Sequence, residues 1–213
     1  MRILIKAEWQ QLQESIDKLE FQIASSNFPT PTFQMCNFLI VGEDHRFYYH
    51  PGVDPLAICR AFWKTAFCGS RQGASTIAMQ LVRTITGRYE RTWKRKLLEI
   101  ILAVLLTRYL PKDRLPILYL WCAYYGSGMN NFKQACSRLH IDPHSVCAFE
   151  AAKLVARLKY PEPRNCDSAR YRKIHRRGLH LLALNDRVKG HLCFYPEGRN
   201  GTIQNCINTI KIF

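Results

Sequence analysis

The chain has 213 residues, 47% of them hydrophobic, enough for one domain with a substantial core and too apolar for a disordered chain. Thirty-one Lys and Arg against sixteen Asp and Glu leave a formal charge of +15, which calls for an anionic partner: nucleic acid, an anionic membrane or a phosphate-bearing substrate. Nine cysteines without a Cys-x-x-Cys pair or zinc-like Cys/His spacing exclude a zinc module and argue against a disulfide framework.

Charges in Met1-Arg2-Ile3-Leu4-Ile5-Lys6-Ala7-Glu8 break any secretory signal. Residues 97–106 contain Glu99, and residues 115–132 contain Pro116 and glycines, so neither stretch gives the roughly 20 apolar residues of a membrane span. Membrane contact is therefore expected to be peripheral, or an anchor is missing from this chain. Residues 8–24 place Trp9, Leu12, Ile16, Leu19 and Ile23 at helical spacing, which predicts an amphipathic leading helix. Residues 25–31 break it, and 1–35 is read as a leading helix and linker.

Glu43 and Asp44 follow the apolar run Phe38-Leu39-Ile40-Val41, and helical spacing puts Phe47 one turn past Glu43. A carboxylate at the edge of an apolar patch suits a general base or acid, although an isolated Glu-Asp pair is more often a solvated helix start. His50-Pro51-Gly52-Val53 reads as a turn, and Asp54-Pro55 as the start of a helix reaching Phe67. Cys59, near Ala61 and Phe62 there, reads as a small buried hydrophobe. Arg71-Gln72-Gly73-Ala74-Ser75-Thr76 leads into a helix over 77–85. Its first N–H groups suit a phosphate, and equally Ser75 or Thr76 is an ordinary cap.

Arg91 to Leu106 predicts a helix that is apolar nearly all round after Lys96, with Glu99 as the one acid inside. Arg95 and Lys96 lie within reach as ion-pair partners, or the group forms a pyrophosphate site that Glu99 shapes, alone or with a divalent ion. Residues 118–128 combine an aromatic helix with a glycine stop, and Pro116 is expected to kink it. Asp142-Pro143 is expected to open a helix toward Leu158, within which Glu150 pairs with Lys153. Beyond Pro161 a basic stretch from Arg164 to Arg177 leads into a tail read as peripheral and irregular. Period-2 alternation is absent, so the fold class is mainly α.

In this order the segments resemble the five motifs of the family 51 peptidoglycan glycosyltransferases, found in monofunctional transglycosylases and bifunctional penicillin-binding proteins. Glu43-Asp44-x-x-Phe47-x-x-His50-x-Gly52-Val53-Asp54 resembles the first, and Gly73-Ala74-Ser75-Thr76-Ile77-x-x-Gln80-Leu81 the second. Arg95-Lys96-x-x-Glu99 resembles the third, and Leu118-Tyr119-Leu120 with Tyr124-Tyr125-Gly126-x-Gly128 the fourth. Glu150-Ala151-Ala152-x-Leu154 before Pro161 resembles the fifth. The match covers residues 36–165, read as the glycosyltransferase domain, with 166–213 as a basic C-terminal tail.

The resemblance implies a lysozyme-like fold with a small membrane-facing second lobe, and polymerisation of a lipid-linked disaccharide-peptide into glycan strands. Glu43 would take the proton from the acceptor sugar's C4 hydroxyl as that oxygen attacks the donor's anomeric carbon, with inversion and release of polyprenyl diphosphate. Glu99 matches the second functional carboxylate. Asp44, Phe47, His50, Ser75, Thr76, Gln80, Arg83, Arg95, Lys96 and Glu150 would bind substrate. No cofactor is required, with Mg²⁺ or another divalent cation as an optional aid at the diphosphate. The implied partners are the growing strand, the outer face of the bacterial inner membrane and other cell-wall synthesis proteins, and no nucleic acid is expected.

The chain departs from the family pattern at Met79, where glutamine is usual, at Arg83-Thr84 for Lys-Asn, at Trp121 for Asn and at Asn131 for Gly. The alternatives are a catalytically decayed member of the fold that binds membrane or nucleic acid, and a lysozyme-like hydrolase.

Overall fold

The computed structural model describes residues 2–67, 69, 73–165 and 167–192. Among these the architecture is mainly helical, with two isolated bridges at Gly126 and no strand. Helix α1 (Arg2–Ala24) buries Leu12, Ile16 and Ile23, one stripe of an amphipathic surface. That stripe packs on the domain. Glu8 pairs with Arg88, Glu20 with Arg114, and the Tyr109 hydroxyl donates to Asp17 at 2.9 Å.

Helix α2 (Phe33–Glu43) opens on Thr32, whose hydroxyl accepts the Met35 N–H at 3.4 Å, and buries Met35, Cys36, Phe38, Leu39 and Ile40. Apolar almost all round, it is surrounded, with α6, α8 and α9 packed against it. It ends at Glu43, so Phe47 is not a turn further along the same helix as the spacing suggests. Phe47 instead lies buried in a 3-10 turn (Phe47–Tyr49).

Asp54 opens α3 (Pro55–Phe67) as expected, accepting the N–H groups of Leu56 and Ala57 at 3.0 and 3.1 Å. This helix leaves Leu56, Trp63 and Phe67 in solvent. Cys59 is exposed there too, against the buried position read from its neighbours, because α3 has little packed against it. Cys36, Cys122 and Cys136 do behave as small hydrophobes, burial pushing each thiol up to about 12.

Helices α4 (Ile77–Thr86) and α5 (Trp93–Tyr109) pack against each other, and α4 also packs on α6 (Arg114–Cys122). Pro116 does not kink α6. It occupies the first turn, where the helix demands no i→i−4 donor, and its ring meets no preceding helical turn. Asn131 caps α7 (Phe132–Leu139) by accepting the Gln134 N–H at 2.9 Å.

Asp142-Pro143 does not open α8. Asp142 closes a local turn, accepting from His144 N–H and Ser145 hydroxyl, and α8 (Ala148–Lys159) begins five residues after Pro143. The tail expected to be irregular is, from Ser168 to Leu192, the helix α9, with Ile174, Leu181 and Asn185 buried against α8 and α2. Its mean composition is strongly basic, but a stripe at helical spacing is enough to dock it. Residues 193–213 lie outside the described residues, as do Arg71 and Gln72 of the small-residue loop.

Candidate active site

The end of α2 places two adjacent acids in different environments. Glu43 stays accessible, its side chain 25% exposed, and accepts a hydrogen bond from Arg177 Nη2 of α9 at 2.9 Å. Asp44 is 6% exposed. Its Oδ1 lies 2.8 Å from His50 Nε2, and its Oδ2 accepts the Ile77 N–H, the first of α4, at 3.0 Å.

Asp44 is thus a brace between α2, the turn and α4. Thr76 completes it, with its hydroxyl donating to Gly52 O at 2.6 Å and accepting the Met79 N–H at 3.3 Å. Gly52 has φ +94°, and a Cβ there would lie 2.4 Å from Ala103 O of α5, so only glycine lets the turn approach so closely.

The N-terminus of α4, which the sequence offered to a phosphate or to an ordinary Ser75 or Thr76 cap, is capped by Thr76 and also holds a carboxylate of the protein itself. Asp44 and His50, expected to contact substrate, use their paired atoms internally, and Phe47 is buried in the core. Asp44→Ala would strand a buried imidazole and a helix N–H together. It is expected to lower folding stability by about 3 kcal/mol, read from the denaturant midpoint at unchanged slope.

The second centre is Glu99 of α5, its side chain 3% exposed. Arg83 of α4 grips it with a fork, Nε to Oε2 at 3.0 Å and Nη2 to Oε1 at 2.9 Å. Lys96 Nζ donates to Oε1 at 2.8 Å, and Arg95, one turn before Glu99, donates to Oε2. Ser75 Oγ accepts from both Arg83 and Lys96, at 3.3 and 3.1 Å, and Gln80 Nε2 donates back to Ser75 O at 3.5 Å.

Burial works against the charge on Glu99, but the hydrogen bonds from Arg83 and Lys96 overcome it and hold the carboxyl below its usual range. Burial pushes Lys96 down, and the Glu99 hydrogen bond raises Arg83. Three cations against one carboxylate leave two positive charges in excess. Arg95 Nε is buried without a hydrogen-bond partner among the described residues. Such a group is built to receive an anion with spare donors.

Tyr119 of α6 is buried, 8% exposed. Burial raises its phenol first, and then the charge of Glu43, with Arg83 opposing.

The transglycosylase family model matches residues 13–184. The chain belongs to the transglycosylase family. It is 45% identical over 94 residues to penicillin-binding protein 1A of Escherichia coli, covering 44% of this chain and 11% of that one. Against penicillin-binding protein 1A of Aquifex aeolicus it is 35% identical over 148 residues, 68% of this chain and 20% of the relative. Against the biosynthetic peptidoglycan transglycosylase of Xanthomonas axonopodis pv. citri it is 34% identical over 133 residues, 62% of this chain and 53% of the relative. The chain therefore spans only part of the length of these relatives.

Within this transglycosylase domain, Ser75, Gln80, Arg83, Arg95, Lys96 and Glu99 lie together in one hydrogen-bonded group. Glu150 stands apart, its carboxylate 44% exposed and paired with Lys153 at 2.7 Å, the plain surface pair that the i,i+3 spacing allows. Among the described residues no cluster of three or more His, Cys, Asp or Glu stands together as a metal cage.

Two participants escape the sequence. Lys112 donates to Phe47 O at 2.9 Å and lies over the Phe47 ring, 5.6 Å from its centroid, holding the turn after Glu43. Arg177 comes from what reads as a tail. For neither does the local pattern give a signal, since each partner is more than sixty positions away.

Proposed function

We propose that this chain is a peptidoglycan glycosyltransferase that polymerises a disaccharide-peptide carried on a polyprenyl diphosphate. Glu43 accepts the proton of the acceptor C4 hydroxyl, whose oxygen forms the new bond to the donor's anomeric carbon. The bond from that carbon to the diphosphate oxygen breaks with inversion, and the departing charge goes to Arg83, Arg95 and Lys96. Glu99 holds these cations together against their mutual repulsion, so the anion meets them already arranged.

The observation that carries this reading is the excess of two positive charges around Glu99, in one domain with the partly exposed carboxylate of Glu43. Because Glu99 is fully engaged by side-chain cations, a protein-held divalent ion does not fit there. Any Mg²⁺ contribution would arrive on the diphosphate itself.

The exposed Leu56, Trp63 and Phe67 of α3 would rest on the lipid surface from which the substrate is drawn. Among the described residues no helix is long and apolar enough to cross a membrane. The proposed setting is the outer face of the bacterial inner membrane, beside other cell-wall synthesis proteins.

The test is incubation of the purified chain, in detergent or bilayer, with the lipid-linked disaccharide-peptide, and separation of products by length. A ladder of glycan polymer is expected. Well-folded protein that makes no polymer across several detergents and divalent-ion conditions would rule out the activity.

A further inference from the structure

Arg177 Nη2 reaches back from α9 to donate at once to Gly42 O, at 2.7 Å, and to Glu43 Oε1, at 2.9 Å. The first acceptor is among the last carbonyls of α2, which have no helical donor of their own and attract a cation. The second is the carboxylate proposed as base. One nitrogen therefore fixes the end of the helix and the direction of the side chain next to it.

The guanidinium is itself held, with only 11% of its side chain exposed. The approach of α9 is set by the backbone of α2. A Cβ on Gly42 would lie 2.4 Å from Leu181 Cδ2 and 3.1 Å from Arg177 Nη2, so a side chain there would displace the ends of both side chains, the guanidinium included. Leu181, one turn beyond Arg177, is fully buried in the same contact.

We infer that Arg177 is a positioning residue for Glu43, and that α9 is therefore a structural part of the catalytic centre rather than an appendage to it. This rests on the transferase reading above. A free glutamate side chain samples several rotamers, and only those aimed at the acceptor hydroxyl are productive. The bond from Arg177 selects among them before substrate arrives.

The experiment compares wild type with Arg177→Ala, Arg177→Gln and Arg177→Lys in the polymerisation assay, with thermal unfolding measured on each. Arg177→Ala and Arg177→Gln are expected to lose roughly 10- to 100-fold in kcat with KM within about 2-fold of wild type, while Arg177→Lys retains most of the rate.

The inference is overturned if kcat of the alanine and glutamine variants stays within about 2-fold of wild type, or if the loss falls in KM alone. It is equally overturned if Arg177→Lys loses as much as Arg177→Ala while all variants unfold at lower temperature, which is the signature of a packing role. A silent wild type overturns the transferase reading, and this inference with it. An active wild type beside unaffected variants overturns the positioning role alone.

Discussion

Glu43→Gln is expected to lower the polymerisation rate by about 10³-fold, the scale on which a positioned general base contributes. The amide keeps the size and the contact to Arg177 through its carbonyl oxygen, but has no basic lone pair for the C4 proton. KM for the lipid-linked donor should change little, because in the proposed mechanism the diphosphate is met by the Glu99 cluster rather than by α2. Steady-state kinetics separate the two parameters. Loss confined to KM would mean that Glu43 binds substrate and does not act on the proton. Glu43→Asp offers a finer check, since it keeps the base but draws it back by a methylene from both acceptor and Arg177. A fall of roughly 10- to 100-fold is expected from that misplacement alone.

Glu99→Gln has the second-largest expected effect, and it appears in two measurements. Replacing the carboxylate leaves Arg83, Arg95 and Lys96 clustered without a countercharge, so the cations splay and the leaving group loses its ordered receiver. A fall of about 10²- to 10³-fold in kcat is expected. Stability should drop by about 1–3 kcal/mol at neutral pH, discounted because Arg83 and Lys96 are partly in solvent.

The pH dependence fixes the sign. The folded-state pKa of Glu99 is held below its ordinary value of 4.5, so the ionised form favours the folded state. That contribution is complete above the unfolded value and is lost as pH falls through the folded one. The stability gap between wild type and Glu99→Gln should therefore be constant from pH 6 to 8 and close below about pH 4.5. Denaturant titrations at several pH values read it. A gap that widened on acidification would contradict the charge assignment.

The site was partly legible in the sequence because some of its partnerships are local. Arg95, Lys96 and Glu99 lie within one helical turn, so their meeting follows from 3.6-residue periodicity. Asp54 announced itself as a cap by residue type and by the helix-forming residues directly after it, whereas Ser75 and Thr76 stood as alternatives until the structure showed Thr76 as the cap of α4. Local signals also misled. Pro116 reads as a kink from composition, yet the helix begins two residues earlier and accommodates it. Asp142-Pro143 has the look of a helix start and closes a turn instead, since the capping preference is shared by both structures.

Glu43 and Asp44 show where sequence stops. As neighbours of the same charge they are interchangeable to any pattern, and the resemblance to the family assigned both to the site. Folding separates them. The chain leaves helical geometry at Asp44, turning that carboxylate inward to His50 and the first N–H of α4 while leaving Glu43 at the surface.

The sequence by itself determined the helical class, the family to which its motif series points and the cationic character of the Glu99 helix, because these depend on residue type and on spacing within a few turns. The tertiary structure alone decided which acid remains open, that Arg83 grips Glu99 from another helix, and that the basic stretch after Pro161 returns Arg177 to the first motif. These depend on contacts separated by 16 and 134 positions, brought together by the burial of apolar faces on α4, α5 and α9. No local pattern encodes a distance that only core packing sets.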